Sequence, residues 1–169
     1  VASSLYEQAA AWASRPFADG RLPESLWDLY CGVGGFALAA ARAGFPRVTG
    51  VEVSSGAISS AISAARHAGL SRSAATFIAE DATTWARAQA PEDVPDVIVV
   101  NPPRRGIGAD LAAYLNECDA PRVIYSSCNP ASLATDLAAM PTLRPIEGRL
   151  FDMFPHTTHA EVALLLERA

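Results

Sequence analysis

Five short runs rich in Val, Ile and aromatic residues punctuate the chain at LWDLY (26–30), RVTGVEV (47–53), ATFIAED (75–81), DVIVVN (96–101) and RVIYSS (122–127). Between them lie stretches with helical character: FALAAARAG ending on Gly44, SSGAISSAISAARHAGL with serines at its start and Gly69 at its end, and residues near 82–90 and 109–117. A further helical stretch near 130–139 follows the fifth run, and residues 3–14 form one more before the Pro/Gly break RPFADGRLP. Strands that alternate with helices need crossover connections, so the pattern predicts a mostly parallel sheet covered by helices on both faces. After Pro141 the rhythm changes. LRPIEGRLFDMF and AEVALLLER are separated only by the polar PHTTH and predict a closing antiparallel pair.

The rest of the composition narrows the class. A chain of 169 residues, half of them hydrophobic, suits one domain that buries most of its apolar surface. No apolar run approaches the ~20 residues of a bilayer crossing, and VASSLYEQAAAW lacks the charged start of a secretory leader. The expectation is a cytoplasmic protein with no membrane partner, monomeric. Three cysteines without C-x-x-C spacing predict free thiols and no metal site. All thirteen basic residues are arginine, and a net charge of −5 provides no general attraction to nucleic acid. The lack of an initiator Met suggests a piece of a longer protein.

In an open parallel sheet, ligands bind beyond the carboxyl ends of the strands, and here those ends hold the distinctive residues. DLYCGVGGF places a glycine turn after the first strand, where Gly32 and Gly34 let a ligand approach backbone closely, with Asp28 and Cys31 beside them. Glu52, at the end of the next strand, is placed to accept ribose hydroxyls. The turn reads G-x-G-G rather than G-x-G-x-x-G, which favours S-adenosylmethionine over a dinucleotide whose pyrophosphate needs the third glycine. Asp81 can receive an adenine amino group or serve as a helix N-cap.

NPPRRG stiffens the exit of the fourth strand and presents Asn101 to the crevice, while Arg104 and Arg105 either hold substrate or remain solvated. Cys128 follows the fifth strand at the approach to a helix beginning near Pro130, a position that favours a nucleophilic thiol; Cys118 reads as an inert filler. DMFPHTTHAEVALLL brings His156, His159 and Glu161. Three readings remain there: a metal site, a loop held by histidine hydrogen bonds, and a general base at Glu161. Two further classes stay open on the residues alone, an N-P-P amino-methyltransferase that needs no thiol and a cofactor-binding module without activity of its own.

DLYCGVGGF, VNPPRRGIG, YSSCNP and LFDMFPHTTHAEVALLL together resemble the catalytic domain of the bacterial RNA uracil-C5-methyltransferases, and within it the branch acting on 23S ribosomal RNA. The resemblance runs from residue 1 to the C-terminus. It implies a class I, Rossmann-like α/β fold whose seven-stranded, mostly parallel sheet ends in an antiparallel strand. S-adenosylmethionine is the implied methyl donor and S-adenosylhomocysteine its product. Carried onto this sequence, the resemblance makes Cys128 the nucleophile, Glu161 the base, and Tyr30, Glu52 and Asn101 part of the cofactor site. Arg104, Arg105 and His156 are separate candidates for substrate contact. Many relatives with other targets have Asp where Asn101 stands, and an amide cannot act as a base. The family's upstream RNA-binding region, with any iron–sulfur cluster and the F-x-Q-x-N segment, is expected ahead of Val1. Ribosomal RNA is then the partner of the longer protein.

Overall fold

A computed structural model describes residues 2–153, 156 and 159–169. Seven strands form one sheet in the order β3-β2-β1-β4-β5-β7-β6. The strands are β1 (Ser25–Leu29), β2 (Arg47–Glu52), β3 (Ala75–Ala79), β4 (Val97–Val100), β5 (Arg122–Ser127), β6 (Leu143–Asp152) and β7 (Ala160–Arg168). The helices are α1 (Ala2–Ser14), α2 (Gly35–Arg42), α3 (Ser55–His67), α4 (Ala82–Ala88), α5 (Gly108–Glu117) and α6 (Pro130–Ala138). The first five strands pair in parallel, and β7 runs antiparallel to both β5 and β6. This is the arrangement expected from the alternating pattern. The predicted 82–90 helix ends at Ala88 because Gln89 and Ala90 turn extended ahead of Pro91. A short 3-10 turn at Pro91–Asp93, absent from the sequence-based expectation, follows.

Strand periodicity explains the two apolar layers. In β4, Ile98 and Val100 join a core with Trp27, Leu29, Leu111, Tyr125 and Leu166, while Val97 and Val99 join a second with Leu26, Trp12, Phe36, Ile124 and Leu165. Alternate side chains of one buried strand thus feed opposite faces. The same alternation points Asp28 of β1 toward α2, on the side opposite Trp27 and Leu29.

Helix α1 docks where the sequence places its stripe, with Leu5, Ala9, Trp12 and Ala13 buried. Its carboxyl end is closed from the sheet. Arg122, the first residue of β5, is 1% exposed, and its Nη1 donates to the carbonyls of Trp12 (3.1 Å), Ala13 (3.1 Å) and Arg15 (2.7 Å). Carbonyls at and just past a helix end lack the regular helical partner, and of these three the Trp12 carbonyl also accepts from Arg15 N–H at 3.3 Å. Arg122 also lies 4.5 Å from the Phe17 ring centroid and pairs with Glu167 of β7, its Nε donating to Oε1 at 3.1 Å. At the outer edge, β6 is largely exposed and carries Pro145 beside a register shift between Pro145 and Glu147, features that blunt an edge strand.

Candidate active site

Strand order reverses between β1 and β4, and a cleft of about 710 Å³ opens beyond their carboxyl ends. Tyr30, Glu52, Asp81, Asn101, Arg105 and Glu161 all line it, together with Pro102 and Pro103. Six residues singled out from five segments of the sequence therefore meet around one space.

The glycine turn follows Tyr30, and Gly32 and Gly34 are not among the residues that line the cleft. Tyr30 and Gly34 have positive φ (62° and 94°), and Gly34 delivers the chain into α2. The following Gly35 has no room for a side chain, since a Cβ there would stand 2.6 Å from the Tyr6 hydroxyl of α1. A Cβ on Gly32 would meet open space, so that position leaves room for a ligand. Glu52 braces the turn: its Oε1 accepts from Gly32 N–H at 3.2 Å and its Oε2 from Ser54 N–H at 2.9 Å. Each oxygen retains a lone pair for a diol.

Asp28 and Cys31 do not reach the cleft with their side chains. Asp28 is 0% exposed; its Oδ2 accepts from Ala37 N–H of α2 at 2.9 Å, and its Oδ1 has no partner. Complete burial pushes its carboxyl up to about 7, against the pull of the Ala37 N–H, with Glu52 adding to the rise. Cys31 is buried, and a Cβ on Gly50 would approach its sulfur to 3.0 Å. Burial raises that thiol strongly, with Asp28 and Glu52 reinforcing the effect, so Cys31 is a packing group that stays protonated. Asp81 caps α4, its Oδ2 accepting from Thr84 N–H at 2.9 Å, and these bonds hold its carboxyl below the ordinary value. The N-cap alternative is thus realised, and Asp81 still borders the cleft. Burial raises the Tyr30 hydroxyl, with the Thr83 hydrogen bond and Arg105 opposing. The side-chain amide of Asn101 is half-buried and has no hydrogen-bond partner among the described residues.

The loops after β4 and β5 are tied together. The carbonyl of Arg104 accepts from Asn129 Nδ2 (2.9 Å) and from Ser132 Oγ (2.8 Å). Asp136 of α6, 5% exposed, accepts from the Tyr125 hydroxyl (2.5 Å) and from Ile107 N–H (2.9 Å). Gly106 has φ of 84°, and a Cβ there would stand 2.4 Å from the Asp136 carboxylate, so only glycine passes under this clamp. Arg104 itself is exposed, and its backbone rather than its guanidinium makes these contacts.

Cys128 lies between Ser127, the last residue of β5, and Asn129, the N-cap of α6 whose Oδ1 accepts from Ala131 N–H at 3.1 Å. It is half-buried and unbridged, as are Cys31 and Cys118 unbridged. The β5–β7 ladder pairs Ser126 with Ala163 and Ser127 with Val162. Continued by one position, that register sets Cys128 against Glu161. Because side chains alternate, Ser126, Cys128 and Glu161 belong to one face of the pair. Glu161 is half-buried, and Ser126 Oγ donates to its Oε2 at 2.7 Å. Burial raises the Glu161 carboxyl, and the Ser126 hydrogen bond opposes the rise.

His156 is exposed, with φ of 72°, and does not line the cleft. Phe154, Pro155, Thr157 and Thr158 of the same loop lie outside the described residues. Among the described residues, no cluster of three or more His, Cys, Asp or Glu side chains is placed to hold a metal ion. Ser126, Tyr6 and Asp136 were missed by the motif reading. Ser126 was within reach of it, through the period-2 spacing from Cys128.

The family model described as tRNA (uracil-5-)-methyltransferase matches residues 91–169. A 23S rRNA (uracil(747)-C(5))-methyltransferase RlmC from Shewanella amazonensis is 48% identical over 166 residues, covering 98% of this chain and 41% of the relative. RlmC from Pectobacterium atrosepticum is 44% identical over 169 residues, covering 100% of this chain and 42% of the relative. The chain thus spans about two fifths of the length of these relatives. Among solved structures, the Pyrococcus abyssi tRNA (uracil-54, C5)-methyltransferase in complex with S-adenosyl-L-homocysteine superposes with a TM-score of 0.77 at 28% identity, over 98% of this chain and 38% of that one. The Synechocystis magnesium protoporphyrin IX methyltransferase with bound S-adenosylmethionine (TM-score 0.73, 19% identity, 99% of this chain and 79% of that one) shares the fold, that of class I methyltransferases.

Proposed function

We propose that the chain belongs to the tRNA/rRNA uracil-C5-methyltransferase family and is the catalytic portion of an enzyme that methylates C5 of a uridine in 23S ribosomal RNA. The observation that carries the reading is that Glu161 lines the same cleft as Tyr30, Glu52 and Asn101, and the β5–β7 register, continued one position past Ser127 and Val162, sets Cys128 opposite it.

The residues suit S-adenosylmethionine. Glu52 keeps acceptor capacity for ribose hydroxyls, the turn at Gly32 leaves backbone within reach, and the unpartnered Asn101 amide suits a polar edge of the ligand. Asp28 holds α2 from beneath. When bound, S-adenosylmethionine supplies the electrophilic methyl group.

The sulfur of Cys128 adds to C6 of the uracil, and the C5=C6 electron pair becomes an enolate able to take a methyl group at C5. The methylated adduct carries a proton on C5. Glu161 removes it: the C5–H electron pair re-forms the C5=C6 bond, the C6–S bond breaks, and the sulfur leaves as thiolate. A uracil within structured RNA has to leave its stack to reach such a cleft. Arg105 at the cleft and Arg104 beside it are the groups offered to the RNA backbone, and with a net charge of −5 the chain relies on other parts of the longer protein for most of that contact.

The test uses the full-length enzyme with RNA bearing 5-fluorouridine at the target. Fluorine cannot be abstracted as a proton, so a methylated adduct to Cys128 accumulates and is located by peptide mass spectrometry. Attachment at Cys31 or Cys118, or full turnover by the Cys128→Ala protein, overturns the reading in favour of an amino-methyltransferase.

A further inference from the structure

Two adjacent serines precede Cys128, and strand alternation turns them to opposite faces. Ser126 is 0% exposed, and its one hydroxyl proton is committed to Oε2 of Glu161 at 2.7 Å. Ser127 is 3% exposed; its Oγ accepts from Asn129 N–H at 3.0 Å and lies 2.9 Å from the Asn129 carbonyl, closing a tight turn around Cys128. A buried hydroxyl fastened to a carboxylate that borders a cleft fixes which oxygen of that carboxylate is engaged and which stays available. Neither serine touches the cleft itself.

We propose that these serines are positioning residues for separate steps, Ser127 for the turn that carries the nucleophile and Ser126 for the carboxylate that removes the C5 proton. The proposal rests on the assignment of Cys128 and Glu161 made above. Ser126 leaves Oε1 of Glu161 as the proton acceptor and favours the ionised carboxylate in a half-buried setting that otherwise disfavours it. Without that hydrogen bond the carboxyl rises further, so at a given pH a smaller share is ionised and the profile of proton removal moves toward higher pH.

Other charged and titratable groups face this carboxylate. From α1 comes Tyr6, whose hydroxyl is raised by burial, by Asp28 of β1 and by Glu161 itself. Arg149 of β6, paired with Ala163, belongs to the same face, whereas Asp152, opposite Ala160, alternates to the other. Tyr30, Glu52, Asp81 and Arg105 line the cleft, with Cys128 at the end of β5 and His159 two residues before Glu161. All are retained when Ser126 alone is changed, so a difference between variants isolates its hydroxyl.

The experiment follows single turnovers of the full-length enzyme on unmodified RNA, separating formation of the methylated covalent complex from its release, across pH 6–9. In the Ser126→Ala protein, complex formation stays near wild type while release slows roughly 10-fold and its pH profile moves upward relative to wild type, so the methylated complex accumulates. Ser126→Thr, which keeps the hydroxyl, restores the profile. Ser127→Ala slows formation and leaves the pH dependence of release unchanged. Covalent complex is scored only in protein that binds S-adenosylhomocysteine, which removes misfolded material from the count. Glu161→Gln serves as the reference. If it accumulates the complex while Ser126→Ala releases like wild type at every pH, the positioning role is overturned and the base assignment stands. If Glu161→Gln itself releases normally, the base assignment fails first.

Discussion

Replacing Asp28 by Asn should invert the usual expectation that deleting a charge from a hydrogen-bonded site destabilises a protein at neutral pH. Asp28 is wholly inaccessible, has one unpartnered oxygen, and its carboxyl is raised from 3.8 to about 7. For a raised carboxyl, the folded state holds its proton more tightly than the unfolded chain. The associated stability is therefore complete below about 3.8 and is lost as pH rises through about 7. At ~1.4 kcal/mol per pKa unit, the rise corresponds to roughly 4 kcal/mol, with no discount for solvent because none reaches the group. Asn has the same shape, keeps an acceptor for Ala37 N–H and never ionises. Urea unfolding of wild type and Asp28→Asn at matched pH should give similar stabilities near pH 4 and a gap that grows in favour of the variant to ~4 kcal/mol by pH 8. Glu161 and Asp81 titrate in both proteins and cancel in the difference. A flat difference across that range, or a variant less stable at pH 8, would refute the reasoning, because it would mean the folded protein tolerates the ionised carboxylate at its ordinary pKa.

Other perturbations probe separate parts of the fold. Glu52→Ala should weaken S-adenosylhomocysteine binding by about 1–3 kcal/mol in calorimetry, the loss expected for hydrogen bonds to a charged acceptor. Gly106→Ala forces a side chain into a positive φ and against the Asp136 carboxylate; a loss of ~2–3 kcal/mol in denaturant melts is expected, with slower adduct formation since the same clamp holds the Cys128 loop. Arg122→Ala strips the α1 carbonyls of their donors and leaves Glu167 without its partner, which should cost about 3–5 kcal/mol and raise amide exchange along α1.

The strands were legible because runs such as VIVV and RVIYSS are buried on both faces and so read as nearly continuous apolar segments, and β5 falls on the predicted residues. Helix ends were less so: α4 stops at Ala88 for a backbone reason, the extended residues ahead of Pro91, that a count of apolar positions does not carry. The strand-end rule drew Glu52, Asp81, Asn101 and Arg105 to what is one cleft, where Tyr30 and Glu161 join them, but Gly32, Gly34 and Cys128, drawn to the same crevice, are not among its lining residues. It could not separate backbone from side chain. Cys31 and Asp28 belong to the same glycine-turn motif, yet strand alternation and burial direct their side chains into the protein. The ties between Ser126 and Glu161, and between Asp136 and Tyr125, join residues whose proximity depends on packing between elements.

Strand β7 poses a problem of measurement for the folding chain. Its central VALLL is apolar throughout, and with Leu165 and Leu166 buried on opposite sides of the sheet, a shift by one residue would still bury leucine on both. Hydrophobicity alone is a ruler without marks. The marks are polar and stand at the two ends of the β5 pairing: Arg122 with Glu167, and Ser126 with Glu161, forty-five and thirty-five residues apart in sequence. A slipped strand would strand a buried guanidinium at one end and deliver Val162 or Ala160 to the cleft at the other. Alignment that survives the first check therefore arrives with the acid already aimed, so misregistered molecules are discarded on stability before they can be wrong in chemistry.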